Sequence, residues 1–91
     1  MAIVVQFEVS GMSDTIYDDM LRELEAAGQG APAGRLHHVS YGAHDNLQVI
    51  DIFESPAALE AFGRVLEPIL KARGVSALPR VEPAYNLLRG G

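Results

Sequence analysis

A histidine and an aspartate, His38 and Asp51, are the residues best suited to chemistry in this sequence. A carboxylate that faces an imidazole can fix its tautomer and strengthen it as a base, which the removal of a proton from a bound molecule requires. The same two residues could instead contact a ligand without reacting, or form a structural pair that satisfies itself in the core. The sequence leaves all three roles open.

Four other side chains are candidates for contact with a ligand near this pair. Ser40 and Phe53 each lie two positions along the chain from a member of the pair. Alternation along a strand therefore puts each of them on the same face as its neighbour. Tyr17 and Tyr85 could donate hydrogen bonds into a pocket, or could be half-buried core tyrosines whose hydroxyls reach water.

No metal and no cofactor is expected. His37 and the adjacent His38 point to opposite faces of a strand, and His44 falls in a turn, so one face cannot gather the three histidines. The sequence has no cysteine to supply a thiolate ligand. The stretch Gly28-Gln29-Gly30 follows a helix and does not open one, which is the wrong context for a dinucleotide phosphate.

The elements that must position these residues follow one another as strand, helix, strand, strand, helix, strand. Alternating apolar residues predict the strands, and apolar residues three and four positions apart predict the helices. Ser13 and the Ser55-Pro56 pair are typical helix starts, while Gly28 and Gly74 are typical helix ends. The predicted strands are 2–9, 35–43, 47–53 and 81–88, and the predicted helices are about 14–27 and 56–73.

Two prolines refine this plan. Pro68 lies inside the second helix and is expected to kink or restart it. Pro83 lies inside the last strand, where it cannot donate a ladder hydrogen bond, so that strand is expected at a sheet edge. With right-handed crossovers, both helices cover one face of a four-stranded antiparallel sheet. The 91 residues therefore predict a single domain with the ferredoxin-like βαββαβ fold of the α+β class.

A tight turn at His44-Asp45 sets the register of the second and third strands and places His38 opposite Asp51. On that face the register also pairs Leu36 with Phe53 and Ser40 with Val49; on the other face it pairs Val39 with Ile50, His37 with Ile52 and Tyr41 with Gln48. Both faces carry large apolar side chains, but the helices cover only one of them. The bare face is therefore expected to bind a second copy of the chain in a homodimer.

The composition narrows the range of partners. The net charge is −5, from 12 acidic and 7 basic residues, and the arginines are scattered. Nucleic acid binding depends on neutralising phosphates, so this balance opposes it. The longest apolar run falls far short of the ~20 residues of a membrane span. The first residues also lack the basic region of a signal peptide. We therefore expect a cytoplasmic protein with no nucleic acid partner and no membrane partner.

The segment Val49-Ile50-Asp51-Ile52-Phe53-Glu54-Ser55 resembles a stretch of the dimeric α/β-barrel superfamily. In that stretch an apolar strand with an acidic residue ends in an aromatic, Glu and Ser before a helix. Residues 34–39, a glycine-led edge strand with a histidine, resemble a second stretch. The nearest named relatives are the antibiotic-biosynthesis-monooxygenase-type domains. Phe53 stands where that family commonly has Trp, and residues 59–63 lack the histidine that its second helix often carries.

The resemblance implies a dimer whose two sheets close a barrel, with a pocket in each subunit between sheet and helices. One hypothesis is a protein that binds a small apolar or aromatic molecule and has cofactor-independent, monooxygenase-like chemistry. The other is a non-catalytic binding or assembly module whose core side chains fill this space. An open cavity around His38, Asp51 and Phe53 favours the first hypothesis, and a packed one favours the second.

Overall fold

The chain folds into the predicted order of elements around one four-stranded sheet. The structure is a computed structural model, and it describes residues 1–88 and 90. The elements are β1 (Ile3–Ser10), α1 (Asp14–Ala26), β2 (Arg35–Ala43), β3 (Asn46–Phe53), α2 (Pro56–Ala72) and β4 (Ser76–Pro83). The strands lie in the order β2-β3-β1-β4, and every neighbouring pair is antiparallel. The ferredoxin-like α+β fold is therefore confirmed.

Local sequence signals explain where the helices begin. Ser13 caps α1 and Ser55 caps α2, and each hydroxyl accepts a backbone N–H of the first helical turn at 3.2 Å. Such a cap stabilises a helix by ~1 kcal/mol. Helix α2 runs unbroken through Pro68, so the expected restart at that proline does not occur. Because proline has no N–H, the carbonyl of Arg64 still loses its usual partner inside this helix.

The last strand lies earlier in the chain than predicted. β4 covers Ser76–Pro83 and not 81–88, because it begins directly after the turn that follows α2. It pairs with the whole of β1, from Ser10 opposite Ser76 to Ile3 opposite Pro83. Residues 84–88, though apolar in part, therefore lie past the end of β1. The strand lies at an edge of the sheet, as Pro83 predicted.

The backbone nitrogens of the two prolines in β4 point away from β1. The Ala84 N–H donates to the Ala2 carbonyl at 2.9 Å, just past the end of the strand. Because backbone N–H groups alternate in direction along a strand, Pro79 and Pro83 turn their nitrogens toward the free edge. The ladder between β1 and β4 therefore loses no hydrogen bond at either proline.

The core lies between the two helices and one face of the sheet. Val5 and Phe53 are fully buried on the two inner strands. The Phe53 ring lies against the Phe62 ring of α2, with centroids 5.9 Å apart. Burial of one such side chain contributes ~1.5–3 kcal/mol to stability. The other buried apolar residues are Ile3, Val9, Met12, Met20, Leu24, Leu47, Val49, Ile69 and Val75.

The register of the β2–β3 hairpin agrees with the prediction except at its open end. His38 lies opposite Asp51, as predicted. The other predicted pairs that are present are Ser40 with Val49, Val39 with Ile50, His37 with Ile52 and Tyr41 with Gln48. A β-bulge at Leu36 then changes the pairing, so that Arg35 and not Leu36 lies opposite Phe53. The predicted pair of Leu36 with Phe53 is therefore wrong, and the Leu36 side chain is 45% exposed.

Close packing at Gly34 explains this bulge. Gly34 has a φ of +83°, and a Cβ built on it would lie 2.6 Å from the Ala58 Cβ of α2. The Gly34 carbonyl also accepts the Glu54 N–H at 2.7 Å. The start of β2 is thereby fixed against α2, and the extra residue is accommodated between Arg35 and His37.

The opposite face of the sheet carries no helix. Val39, Tyr41 and Leu78 project from it and are 49%, 46% and 62% exposed, respectively. Ile50 and Ile52 lie beside Val39 and are half-buried. This open face therefore carries exposed apolar side chains, as the sequence predicted, together with polar ones such as Gln6, Glu8 and Gln48. In the described residues, no helix is both long and apolar enough to cross a membrane.

Candidate functional site

A chain of hydrogen bonds links Asp51, His38 and Tyr17 on the helix-covered face of the sheet. His38 Nδ1 lies 2.5 Å from Asp51 Oδ1, and His38 Nε2 lies 2.7 Å from the Tyr17 hydroxyl. The imidazole and phenol rings are almost parallel, 8° apart. We call these three residues the relay. It joins two of the predicted site residues to a third that sequence reasoning had not connected with them.

The chemistry of the three groups assigns the protons in the relay. An ionised Asp51 can only accept a hydrogen bond, so Nδ1 of His38 carries the proton and donates it. In a neutral imidazole, Nε2 is then the acceptor, and the Tyr17 hydroxyl donates to it. A proton that arrives at Nε2 creates an imidazolium directly beside a carboxylate. The arrangement is therefore that of a base, His38, which Asp51 orients through Nδ1 and which contacts the Tyr17 hydroxyl through Nε2.

Asp51 is the buried charge of the described residues. It is 2% exposed and lies on β3, opposite Val5 of β1 on one side and His38 of β2 on the other. Moving a carboxylate out of water is expensive unless charged or hydrogen-bonding groups compensate it. His38 supplies that compensation, and its own side chain is 22% exposed. The pair thus has a dry carboxylate end and an imidazole end that solvent or a ligand can reach.

The start of α1 is tied to the hairpin that carries this pair. The Asp14 N–H donates to the His44 carbonyl at 2.7 Å, and the Leu47 N–H donates to the Met12 carbonyl at 2.8 Å. Tyr17 lies one turn into α1, on the stripe that faces the sheet. The two backbone bonds therefore hold Tyr17 in place above the hairpin.

A small apolar cavity opens beside the relay, between the sheet and both helices. Its volume is about 50 Å³. Its polar lining residues are Arg35 and the three relay residues, while the others are Phe7, Val9, Met12, Met20, Leu21, Leu24, Val49, Phe62, Leu66, Leu70 and Ala77. A bound molecule would therefore meet apolar contacts on most sides and polar groups on one.

Arg35 is a lining residue that sequence reasoning missed. The bulge at Leu36 reverses the expected alternation of side chains along β2, so that Arg35 lies on the helix-covered face. Bulges commonly redirect a side chain in this way next to a functional site. Its guanidinium lies 5.9 Å from the centroid of the Phe62 ring and donates to the Gly30 carbonyl at 3.2 Å. The strand-leading Gly34 was the sequence signal for an irregular start to β2.

The other predicted site residues lie outside this cavity in the described chain. Phe53 is fully buried behind Phe62 and contributes packing. Ser40 is half-buried on the face of His38, but it is not among the residues that line the cavity. Tyr85 follows β4 with a fully exposed side chain, so the structure does not bring it to the relay.

The remaining histidines are apart from the relay, as alternation predicted. His37 lies on the open face opposite Ile52. The His44 Nδ1 lies 3.2 Å from an oxygen of the exposed Asp14, at the hairpin turn. The hydrogen bond from His44 lowers the pKa of the Asp14 carboxyl below its ordinary value, and the Thr15 N–H adds to this. Among the described residues, no three His, Asp or Glu side chains are grouped so that they could hold a metal ion.

Comparison with known proteins gives a match of fold. No family model and no curated protein matches the sequence. A Caulobacter crescentus protein assigned to the antibiotic biosynthesis monooxygenases superimposes with a TM-score of 0.67 at 14% identity, over 93% of this chain and 91% of that one. SnoaB, a cofactor-independent oxygenase from Streptomyces nogalater, superimposes with a TM-score of 0.61 at 18% identity, over 98% and 96%.

A third similar structure is a protein of unknown function from Nitrosomonas europaea. It superimposes with a TM-score of 0.57 at 17% identity, over 98% of this chain and 94% of that one. All three matches extend over nearly the whole of both chains, at identities that establish shared architecture and not shared chemistry. The chain therefore has the ferredoxin-like α+β fold of the antibiotic-biosynthesis-monooxygenase-like structures, as the resemblance implied.

Proposed function

We propose that this protein binds a small apolar or aromatic molecule between its sheet and helices, and that His38, oriented by Asp51, acts on it as a general base. The observation that carries the proposal is the relay, placed at one wall of an apolar cavity. A base that works in such a site needs a fixed tautomer and a route for the proton, and the relay supplies both. No metal or cofactor takes part in this step.

The proton transfer can run through Tyr17. The ligand gives its proton to the Tyr17 oxygen as the phenol gives its own proton to Nε2 of His38. The electron pair of the broken bond stays on the ligand, and the imidazolium rests beside the Asp51 carboxylate. Proton transfer by a positioned group contributes ~10²–10⁴-fold to a rate. Arg35, the cationic member of the cavity wall, is available to face the anion that forms.

The proposed reaction is a cofactor-independent oxygenation. When the proton comes from a methylene carbon activated by aromatic rings, the carbanion reduces molecular oxygen and forms a carbon–oxygen bond. The resulting peroxide anion takes the proton back from the His38 imidazolium through Tyr17 and becomes a hydroperoxide. Loss of water then converts the methylene to a ketone, so that one oxygen atom enters the product and the other leaves as water. SnoaB, which has this fold, is a cofactor-independent oxygenase. That likeness supports the proposal at the level of the fold.

We also propose that the protein is a homodimer joined through the open faces of two sheets. Val39, Ile50 and Ile52 are neighbours there across β2 and β3, and the exposed Tyr41 lies beside them; the exposed Leu78 lies on β4, beyond Gln6 and Glu8 of β1. Groups of exposed apolar side chains such as the one on β2 and β3 commonly mark a surface that binds another protein. A standard interface buries ~800 Å² on each partner, which is the area that the open face and its surroundings would have to supply.

The alternative function is a non-catalytic binding or assembly module. The observation that favours it is the cavity volume of about 50 Å³. Ligand pockets usually measure ~300–1,000 Å³, so the core side chains fill most of the space that a substrate would need. In this alternative, the pair of His38 with Asp51 is a structural feature of the core.

Oxygen uptake with two matched variants tests the proposal. The substrate is an aromatic ketone that has an acidic methylene group between two rings. We expect His38→Gln to lower the rate by ~10²-fold or more. His37→Gln, the same change on the opposite face of β2, should leave the rate unchanged. Equal rates for the two variants would refute the assignment of the base. A wild-type protein that neither binds nor oxidises such molecules would favour the assembly module.

A further inference from the structure

The cavity at the relay is too small to hold the proposed ligand by itself. Its volume is about 50 Å³. An engineered protein cavity that binds a single benzene molecule measures ~150 Å³. A ligand with even one aromatic ring must therefore occupy additional space while its acidic group reaches Tyr17 and His38.

A larger groove lies on the far side of one cavity wall. It runs along the surface between α2 and β4 and has a volume of about 480 Å³. Five side chains line both the groove and the cavity, and these are Phe7, Phe62, Leu66, Leu70 and Ala77. A single layer of side chains thus separates the relay cavity from an open apolar channel.

We propose that the cavity and this α2–β4 groove form one binding site for an elongated, apolar molecule. Its acidic end lies at Tyr17 and His38, and its apolar body extends between Leu66 and Leu70 into the groove. This inference rests on the proposed function, because it assumes a ligand at the relay. It adds the direction of entrance, the shape of the ligand and the residues that select for it.

The wall between the two spaces is built on a weakened part of α2. Gly63 lines the groove from inside the helix, where glycine is ~1 kcal/mol less favourable than alanine. Pro68 leaves the Arg64 carbonyl without its helical hydrogen bond. Leu66 and Leu70 project from this stretch and are only half-buried. Unbranched at Cβ, both leucines can change rotamer with little cost to the helix.

The charges along the groove favour one orientation of the bound ligand. Glu60 and Arg64 form an ion pair at 3.1 Å along the α2 side of its rim, and Glu67 also lines it. The rim therefore has an excess of negative charge, which disfavours an anionic group at that end. At the other end, Arg35 lines the cavity. The acidic group is thus directed to the relay, and the neutral apolar body remains in the groove.

Binding of 2-naphthol to two helix variants tests this inference. The molecule has two fused rings and an acidic hydroxyl, so it exceeds the cavity but not the joined site. Gly63→Leu places a side chain in the groove; a Cβ at Gly63 meets no atom within 4 Å, so the fold should accept it. Ala61→Leu is the matched control, because Ala61 is exposed on another face of α2 and does not line the groove.

We expect Gly63→Leu to weaken naphthol binding at least about tenfold, since several ring carbons lose their burial. Ala61→Leu should bind like the wild type, and thermal denaturation should show both variants folded. Nuclear Overhauser contacts from naphthol to Leu66 and to the His38 ring should appear together in the wild type. Unchanged affinity in Gly63→Leu, with naphthol still at His38, would overturn the groove and leave the proposed function standing. Absence of binding to the wild type would overturn both.

Discussion

The pairing of a buried carboxylate with a partly exposed imidazole makes a quantitative prediction about stability. His38→Leu removes the donor from Asp51, which is 2% exposed. Removing one member of a buried ion pair typically lowers the free energy of unfolding by ~3–5 kcal/mol, because the remaining buried charge then has no partner. His38 is 22% exposed on its side chain, so water can partly replace the imidazole. We therefore expect a loss near the lower end of that range, ~3 kcal/mol.

The double variant His38→Leu/Asp51→Leu should recover most of this loss. Replacing both members of a buried pair by apolar residues of similar volume is often neutral or stabilising. The assay is urea denaturation near neutral pH, at one fixed protein concentration because a dimer would make stability depend on it. In a domain of about this size, 1 kcal/mol corresponds to ~4–8 °C in Tm, which provides an independent check.

Two outcomes would refute the reasoning. A single variant His38→Leu that loses less than ~1 kcal/mol would mean that the carboxylate does not depend on this histidine. A coupling energy below ~0.5 kcal/mol between the two substitutions would mean that the residues act independently. In either case the relay would not hold the proton arrangement assigned to it.

Three further predictions follow from other parts of the molecule. Gly34→Ala should destabilise the fold by ~1–3 kcal/mol in urea denaturation, because its φ is +83° and the new Cβ would lie 2.6 Å from the Ala58 Cβ; an unchanged midpoint would contradict the account of the bulge. Ile50→Asp should convert the proposed dimer to a monomer in sedimentation equilibrium, whereas a wild-type protein already monomeric at micromolar concentration would contradict the proposed interface. His44→Gln should raise the pKa of Asp14 toward its ordinary value, as measured by NMR. The lowered pKa of Asp14 means that its contribution to stability is present above the unfolded-state pKa and is lost as pH falls through the folded-state value. This loss should be smaller in His44→Gln, where the Thr15 N–H still lowers the pKa of Asp14.

The parts of the fold that depend on local signals could be predicted from the sequence. The turn at His44-Asp45 has few ways to close, so it fixed His38 opposite Asp51. The caps at Ser13 and Ser55 likewise fixed where the helices begin, because a side-chain oxygen near a helix start has a specific N–H to bind. These features needed no knowledge of distant contacts.

The features that were missed depend on contacts between elements. The extra residue at Leu36 results from the close approach of Gly34 to α2, which no strand pattern reveals. The place of β4 depends on the length of β1, while the apolar residues after Pro83 suggested a later strand. The hydrogen bond from Tyr17 to His38 depends on how α1 lies across the hairpin. The sequence therefore predicted that His38 faces Asp51 and named Tyr17 as a candidate ligand contact, but it did not predict the hydrogen bond that joins Tyr17 to His38.

The outward-facing prolines of β4 make the two edges of the sheet chemically different. Edge strands are templates on which another chain can add a strand through its backbone. Along the free edge of β4, Pro79 and Pro83 offer no donor, so a chain that approached there would find hydrogen bonds missing at regular intervals. β2, the opposite edge strand, contains no proline. Continuous edge-to-edge assembly requires that both edges of each sheet can pair with a further strand. In this chain only the β2 edge has no proline, so association through the edges would stop at a dimer formed by two β2 strands.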